Sequence, residues 1–212
     1  MRVVVLISGE GTNLQTLIDA AAQDGSSYSI AAVFSDRADA YGLERARKAG
    51  IDAHSIIPRS FSSREAFDAA LADAIDAYSP GLLVLAGFMR ILGPAFVAHF
   101  AGRTLNIHPS LLPKLKGLHT HRRAIQGGER EHGATVHFVT PELDGGPAVI
   151  QYRISIAADD NEDSLSARVH TGEYIILPRA VDWFATGRLR LENGRVALDG
   201  EPLAAPVQLQ GR

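Results

Sequence analysis

The apolar run Val3-Val4-Val5-Leu6-Ile7 ends at Ser8 and meets Gly9-Glu10-Gly11 at once. A short β-branched run without polar alternation is what a strand covered on both faces requires, and the glycines end it. Asn13 then precedes Leu14, Leu17, Ile18 and Ala21, spaced i, i+3, i+4 and i+7, which is one stripe of a helix packing back on the sheet. Strand, glycine turn and returning helix confine the chain to α/β architectures, and the pattern repeats. Strands are predicted over 30–34, 82–86 and 104–108, with a short extended segment near 53–57. Helices are predicted over 42–49 and 63–78 and after Pro94; in the second, Phe67, Leu71, Ala74, Ile75 and Tyr78 share a stripe. Strands alternating with helices imply a doubly wound, mostly parallel sheet with helices on both faces and right-handed crossovers.

Beyond Pro109 the pattern changes. Ser110 to His121 carries Pro113 and Gly117 without clean periodicity and reads as one long loop near the strand ends, where long loops tend to be functional. Strand-like stretches at 135–139 and 148–156 flank Asp144-Gly145-Gly146-Pro147, a loop by composition. Asp160 or Asn161 suits the cap of a last helix with apolar Leu165, Val169, Ile175 and Ile176, and Pro178 is expected to kink or interrupt it. Residues 189–198 around Asn193-Gly194 read as a hairpin, and the remainder, with Pro202 and Pro206, is expected to fray. No Pro/Gly/Ser-rich linker divides the 212 residues, so one unit is expected, a domain over 1–190 with the hairpin remainder and tail of 191–212 attached to it.

Composition narrows the function classes. With no cysteine, disulfide scaffolds, thiolate metal sites and cysteine nucleophiles are excluded. A formal charge of −3 gives no footprint for a nucleic-acid backbone. The opening apolar run is far too short to span a bilayer and no cleavage pattern follows it, so no membrane partner and a cytoplasmic location are expected.

Three constellations carry chemistry. In Gly9-Glu10-Gly11-Thr12-Asn13, glycines let a ligand approach the backbone where a helix start presents free N–H donors, which suits a phosphate; a plain turn capped by Thr12 or Asn13 explains it equally. Leu14 stands where the dinucleotide fingerprint has its third glycine, and no Walker pattern occurs, which favours a terminal phosphate monoester over a dinucleotide or ATP. In Asn106-Ile107-His108-Pro109, the two-residue alternation sets an amide and an imidazole on one face of a strand end, where open α/β sheets bind ligands. A core histidine beside a capping asparagine is the bland alternative. Asp144 alone is a turn former; brought beside His108 it would raise the proton affinity of the imidazole and suit it to proton transfer. His119, His121, His132 and His137 lack carboxylates at ligand spacing, so surface or loop roles and no metal are expected. Arg64 and Arg90 are candidates for ligand carboxylates, and Phe88 to Leu92 for the wall of an aromatic ligand pocket, although Met89, Ile91 and Leu92 individually read as core.

Six segments, 4–9, 11–13, 85–92 (Leu-Ala-Gly-Phe-Met-Arg-Ile-Leu), 105–113 (Leu-Asn-Ile-His-Pro-Ser-Leu-Leu-Pro), 132–139 and 143–147 (Leu-Asp-Gly-Gly-Pro), together resemble the phosphoribosylglycinamide formyltransferases, folate-dependent enzymes of purine biosynthesis, from residue 1 to about 190. The resemblance implies their Rossmann-type fold, substrate phosphate binding in the amino-terminal half, and folate binding and catalysis in the carboxy-terminal half. It implies transfer of a formyl group from 10-formyltetrahydrofolate to the amine of a phosphoribosyl glycinamide, with small molecules as partners and a monomer or homodimer as the assembly. It assigns catalysis to Asn106, His108 and Asp144. Gly11, Thr12, Asn13, His170, Thr171, Gly172 and Glu173 fall in its substrate segments. Arg64, Met89, Arg90, Ile91, Leu92, Asn106, Thr140, Pro141, Glu142, Leu143 and Asp144 fall in its folate segments.

Glu10 stands where the family commonly has Asn, His170 where it has Gln, and Leu115-Lys116 where it has an aromatic-Pro pair. Glu10 is expected to face solvent, and none of these departures is expected to touch the chemistry. Three other readings compete. A methionyl-tRNA formyltransferase shares the trio but needs a further RNA-binding domain and a basic surface. A formyltetrahydrofolate hydrolase would carry an amino-terminal regulatory domain ahead of a strand that here begins at residue 3. A non-catalytic phosphometabolite-binding module would not need the ordered Asn-His-Asp trio.

Overall fold

A computed structural model describes residues 1–211. Its principal strands are β1 (Arg2–Ile7), β2 (Ser29–Ser35), β3 (Asp52–Ser55), β4 (Leu82–Leu85), β5 (Thr104–His108), β6 (Glu131–Phe138) and β7 (Ala148–Ser155). The helices are α1 (Thr12–Ala21), α2 (Tyr41–Lys48), α3 (Arg64–Asp76), α4 (Pro94–His99), α5 (Thr120–Gln126) and α6 (Glu162–Ala185). Short strands β8 (Leu189–Glu192), β9 (Arg195–Leu198), β10 (Glu201–Pro202) and β11 (Val207–Gln210) complete the chain.

Eight strands form one sheet in the order β11-β7-β6-β5-β4-β1-β2-β3, and β6 alone among them runs against its neighbours. Alternation along β1 divides the core. Val3, Val5 and Ile7 join the side chains of α1, α2 and α6 on one face, while Val4 and Leu6 meet Phe67, Leu71 and Ile75 of α3 and Phe96 of α4 on the other. The chain therefore leaves β1 towards one face through α1 and β4 towards the other through α4. Between those neighbours the sheet opens a crevice at its carboxyl edge, the place where ligands of such sheets bind. No described helix is long and apolar enough to cross a membrane.

Several local expectations change. The 110–121 loop ends in α5, whose polar sequence Thr-His-Arg-Arg hides its helical stripe. β6 begins at Glu131, four residues before the predicted start. Gly11 occupies the cap position of α1 with φ 71°, and no side chain caps it, so Thr12 and Asn13 are free for other partners. Asn161 caps α6, and the helix continues through Pro178 because Ile176, Leu177, Ala180 and Val181 are buried around it. The hairpin forms as β8 and β9, but the segment beyond does not fray: β10 extends the hairpin and β11 returns to the main sheet, parallel to β7.

Candidate active site

Antiparallel pairing of β5 with β6 sets Asn106 opposite His137 and His108 opposite Thr135. His137 is 2 % exposed, and burial depresses its pKa to about 4, against the opposing pull of the Phe138 carbonyl and Asp144. It is therefore neutral near pH 7. Its Nδ1 donates to the Phe138 carbonyl (2.9 Å), which leaves Nε2 as an acceptor for the Asn106 amide Nδ2 at 3.0 Å. The Asn106 amide is thus oriented with one N–H committed and a second N–H available. A surface or loop role for His137 is wrong because cross-strand pairing buries it.

His108 is also buried, and its Nε2 donates to the Leu115 carbonyl at 3.0 Å. Its Nδ1 faces Asp144 Oδ2 at 3.5 Å, an ion-pair distance rather than a tight hydrogen bond. Asp144 arrives from the loop between β6 and β7, with φ 47°, and its Oδ2 accepts from the Gly117 amide at 2.8 Å. Asp144 Oδ1 lies 3.8 Å from His137 Nε2; with His137 neutral this is proximity, not an ion pair. A Cβ on Gly146 would sit 1.8 Å from the Phe138 carbonyl oxygen, so only glycine lets this loop fold tightly onto β6. Lys116 Nζ pairs with Glu142 at 2.7 Å, which joins the two loops across the site. Leu115, through its backbone carbonyl, and Lys116, through Glu142, therefore contact site residues.

A second polar cluster gathers on the α1 side of the sheet. The buried Glu173 carboxylate accepts from Asn13 Nδ2 (2.8 Å) and from His170 Nδ1 (2.8 Å) through the same oxygen, Oε2. The hydrogen bond to Glu173 raises the His170 pKa above its ordinary value. Asn13 Oδ1 is buried without a hydrogen bond, an acceptor left open beside the first turn of α1. Gly11 at φ 71° lies so close to Gly42 that a Cβ would approach its Cα to 2.6 Å. Glu10 is exposed, as expected, and its carbonyl accepts from Arg45 Nε at 2.8 Å. Thr171 bonds back to the Ala167 carbonyl of its own helix, and Gly172 packs beneath the Tyr152 ring; neither joins the cluster.

Between the sheet edge and the 139–144 loop lies a cavity walled by Phe88, Arg90, Ile91 and Leu92 on one side and by Thr140, Pro141, Glu142, Leu143 and Asp144 on the other, with Asn106 and His137 at its floor. Ser8 Oγ fixes the 87–92 segment by accepting from the Met89 amide at 2.8 Å. Met89 itself is 66 % exposed and outside the cavity wall, so it is neither core nor lining. Ile91 is exposed as well, and only Leu92 of this stretch is core. Arg64 stands at the start of α3, 3.8 Å from Asp68, away from the cavity lining. Leu85, Val97 and Val139, missed in the sequence, supply its apolar surface.

The remaining histidines do not assemble a metal site: no group of three or more potential ligands gathers among the described residues. His121 Nδ1 meets His132 Nε2 at 3.1 Å, and burial depresses the His132 pKa to about 4. His132, 1 % exposed on β6, is a core residue rather than a surface or loop one.

A family model described as formyl transferase matches residues 1–181. The chain is 56 % identical over 203 residues to the phosphoribosylglycinamide formyltransferase of Escherichia coli (strain K12), covering 96 % of each. It is 48 % identical to that of Haemophilus influenzae, covering 95 % of each. A solved phosphoribosylglycinamide formyltransferase from Coxiella burnetii superposes with a TM-score of 0.94 at 53 % identity, covering 99 % of both chains. With a doubly wound sheet and an Asn-His-Asp convergence at its carboxyl edge, this chain belongs to the formyl transferase family.

Proposed function

We propose that this chain transfers the formyl group of 10-formyltetrahydrofolate to the amine of N1-(5-phospho-D-ribosyl)glycinamide, giving the N-formyl product and tetrahydrofolate in purine biosynthesis. The carrying observation is that Asn106 and Asp144 line one cavity while His108, two residues along β5 from Asn106, faces Asp144 at 3.5 Å. The amine nitrogen attacks the formyl carbon, and a C–N bond forms as the carbonyl oxygen gains charge. The uncommitted N–H of Asn106 stabilises that oxyanion. Breaking the bond between the carbon and folate N10 regenerates the carbonyl, and the proton lost by the amine ends on N10. His108 relays that proton at Nδ1, where the Asp144 carboxylate stabilises the imidazolium.

Each substrate has a side. The open Asn13 acceptor, the Glu173–His170 pair and the free amides of the first α1 turn suit a phosphorylated ribose carrying hydroxyl and amine donors. Thr12, Thr171 and Gly172 serve this side as segment neighbours rather than through side-chain contacts. The cavity of Arg90–Leu92 and Thr140–Asp144 suits the pterin, with Met89 and Arg64 outside it. Its volume here is about 90 Å³, below the roughly 300–1,000 Å³ of ligand clefts. The exposed walls Ile91 and Leu143 have to part when a pterin enters.

A formyl-transfer assay with both substrates, run beside donor hydrolysis and tRNA formylation controls, tests this reading. The expected result is transfer to the glycinamide ribonucleotide only. Hydrolysis without transfer would replace it with a hydrolase, and His108→Ala retaining near-normal turnover would remove the histidine from the mechanism.

A further inference from the structure

The loop between β1 and α1 is held from behind by α2. The Gly9 carbonyl accepts from the Gly42 amide at 3.0 Å, the Glu10 carbonyl from Arg45 Nε at 2.8 Å, and the Gly11 carbonyl from the Gln15 amide of α1 at 2.9 Å. In a planar trans peptide the N–H points opposite to the C=O, so turning the Glu10 carbonyl towards Arg45 turns the Gly11 amide away from α2. That leaves it available beside the first amides of α1, which have no acceptor within the helix. Gly42 lies so close that Gly11, at φ 71°, tolerates no Cβ. Of the three carbonyls, only that of Glu10 is held by a side chain. Arg45 also donates from Nη1 to Gln15 Oε1 at 3.3 Å, and its guanidinium carbon lies 5.0 Å from the centroid of the Tyr41 ring. Both acceptors of Arg45 are uncharged, so neither cancels its positive charge. The contact reaches residue 10 through its carbonyl, which leaves the Glu10 side chain free to stay in solvent.

We propose that Arg45 is a positioning residue for the substrate phosphate: it fixes the Glu10–Gly11 peptide so that the Gly11 amide is set for a phosphoryl oxygen, and it keeps a positive charge behind a loop that receives a dianion. This rests on the proposed function, which puts the ribonucleotide on the α1 side. In this role Arg45 touches neither substrate, and its effect passes through the backbone of residues 10 and 11. Glycine has no Cβ to restrict it, so a Glu10–Gly11 peptide released from Arg45 is free to swing its carbonyl towards the phosphate, where it repels. Lysine is not an equivalent anchor. The planar guanidinium spans a backbone carbonyl and an amide oxygen at once, whereas an ammonium is a point charge on a flexible stem.

Steady-state formyl transfer to the glycinamide ribonucleotide and to its dephosphorylated riboside, in the wild type and in variants, tests this. The wild type should prefer the ribonucleotide. Arg45→Ala should lower kcat/KM for the ribonucleotide by about tenfold, the size of one hydrogen bond to a charged group, and far less for the riboside, with the KM of the folate donor unmoved. Arg45→Lys should recover only part of that loss. Where Arg45→Ala fails to fold, Gln15→Ala, which removes one of the two acceptors of Arg45, should narrow the same preference by a smaller factor. Equal losses on both substrates are what a merely structural role would give. That result, an unchanged preference in the variant that folds, or full recovery in Arg45→Lys would overturn the positioning role while leaving the formyl-transfer reading standing. A wild type that does not distinguish the two substrates would take the phosphate away from this loop and overturn both the role of Arg45 and the phosphate side of the proposed function.

Discussion

Asn106 depends on a neighbour that keeps its proton on the far side of the ring. His137 holds Nδ1–H on the Phe138 carbonyl and offers Nε2 to the Asn106 amide, so the amide is aimed before any substrate arrives. Replacing Asn106 by Ala should lower kcat by about 10²–10³, the usual cost of one oxyanion donor. Replacing His137 by Ala should lower it by about tenfold, one hydrogen bond of orientation. Because His137 acts through Asn106, the double variant should be no slower than Asn106→Ala alone. A kinetic cycle in which the two losses multiply would show that His137 works independently. Asn106 and His108 were legible from two-residue alternation along one strand. His137 was not, because its partner lies 31 positions away and only the β5–β6 register brings them opposite each other.

The elements behind the site are tied by a buried polar chain. Thr135 Oγ1 on β6 donates to the Ser110 carbonyl (2.6 Å) and accepts from the Leu112 amide (3.1 Å) and from Gln151 Nε2 (3.0 Å). Gln151 on β7 also donates to the Leu112 carbonyl (2.8 Å), and its Oε1 accepts from Gln208 Nε2 on β11 (2.9 Å). The segment after His108 is therefore fixed from beneath by two strands, and β11 fastens the end of the chain to the same point. Gln151→Ala should destabilise the fold by about 2–3 kcal/mol, since it strips buried partners from Leu112 and Thr135. For a chain of this size that is a fall in Tm of about 5–10 °C. Gln208→Ala, at the exposed edge, should cost less than about 1 kcal/mol. Thermal denaturation of the two variants with equal losses would deny that the chain is anchored at Gln151. Nothing in the sequence marked β11: Pro202 and Pro206 look like an end to regular structure, whereas the strand begins just past them. Pro178 does not interrupt α6, because the burial of that helix on the sheet outweighs the one backbone hydrogen bond that proline removes.

Across the whole molecule, the His170–Glu173 pair and the buried β6 histidines respond to acid in opposite directions. His137 and His132 have folded-state pKa values of about 4, against about 6.5 when the chain is unfolded, because burial disfavours their charged forms. Between these values the unfolded chain binds more protons, so stability is complete above about pH 6.5 and falls as the pH drops towards 4. For His137 the full difference is on the order of 3 kcal/mol. His170 is shifted upward by Glu173, so its contribution is complete below about pH 6.5 and fades as the pH rises through its folded value. Its side chain is 42 % exposed, which leaves that opposing contribution small. The Tm measured from pH 7.5 down to 4.5 should therefore fall, with the steepest loss below about pH 6.5. His137→Gln, which keeps a polar partner for Asn106 without a titratable ring, should flatten that fall. A wild-type Tm that stays level over this range, or a His137→Gln profile parallel to it, would mean that the β6 imidazoles are not held neutral by burial, and the aimed amide of Asn106 would lose its acceptor.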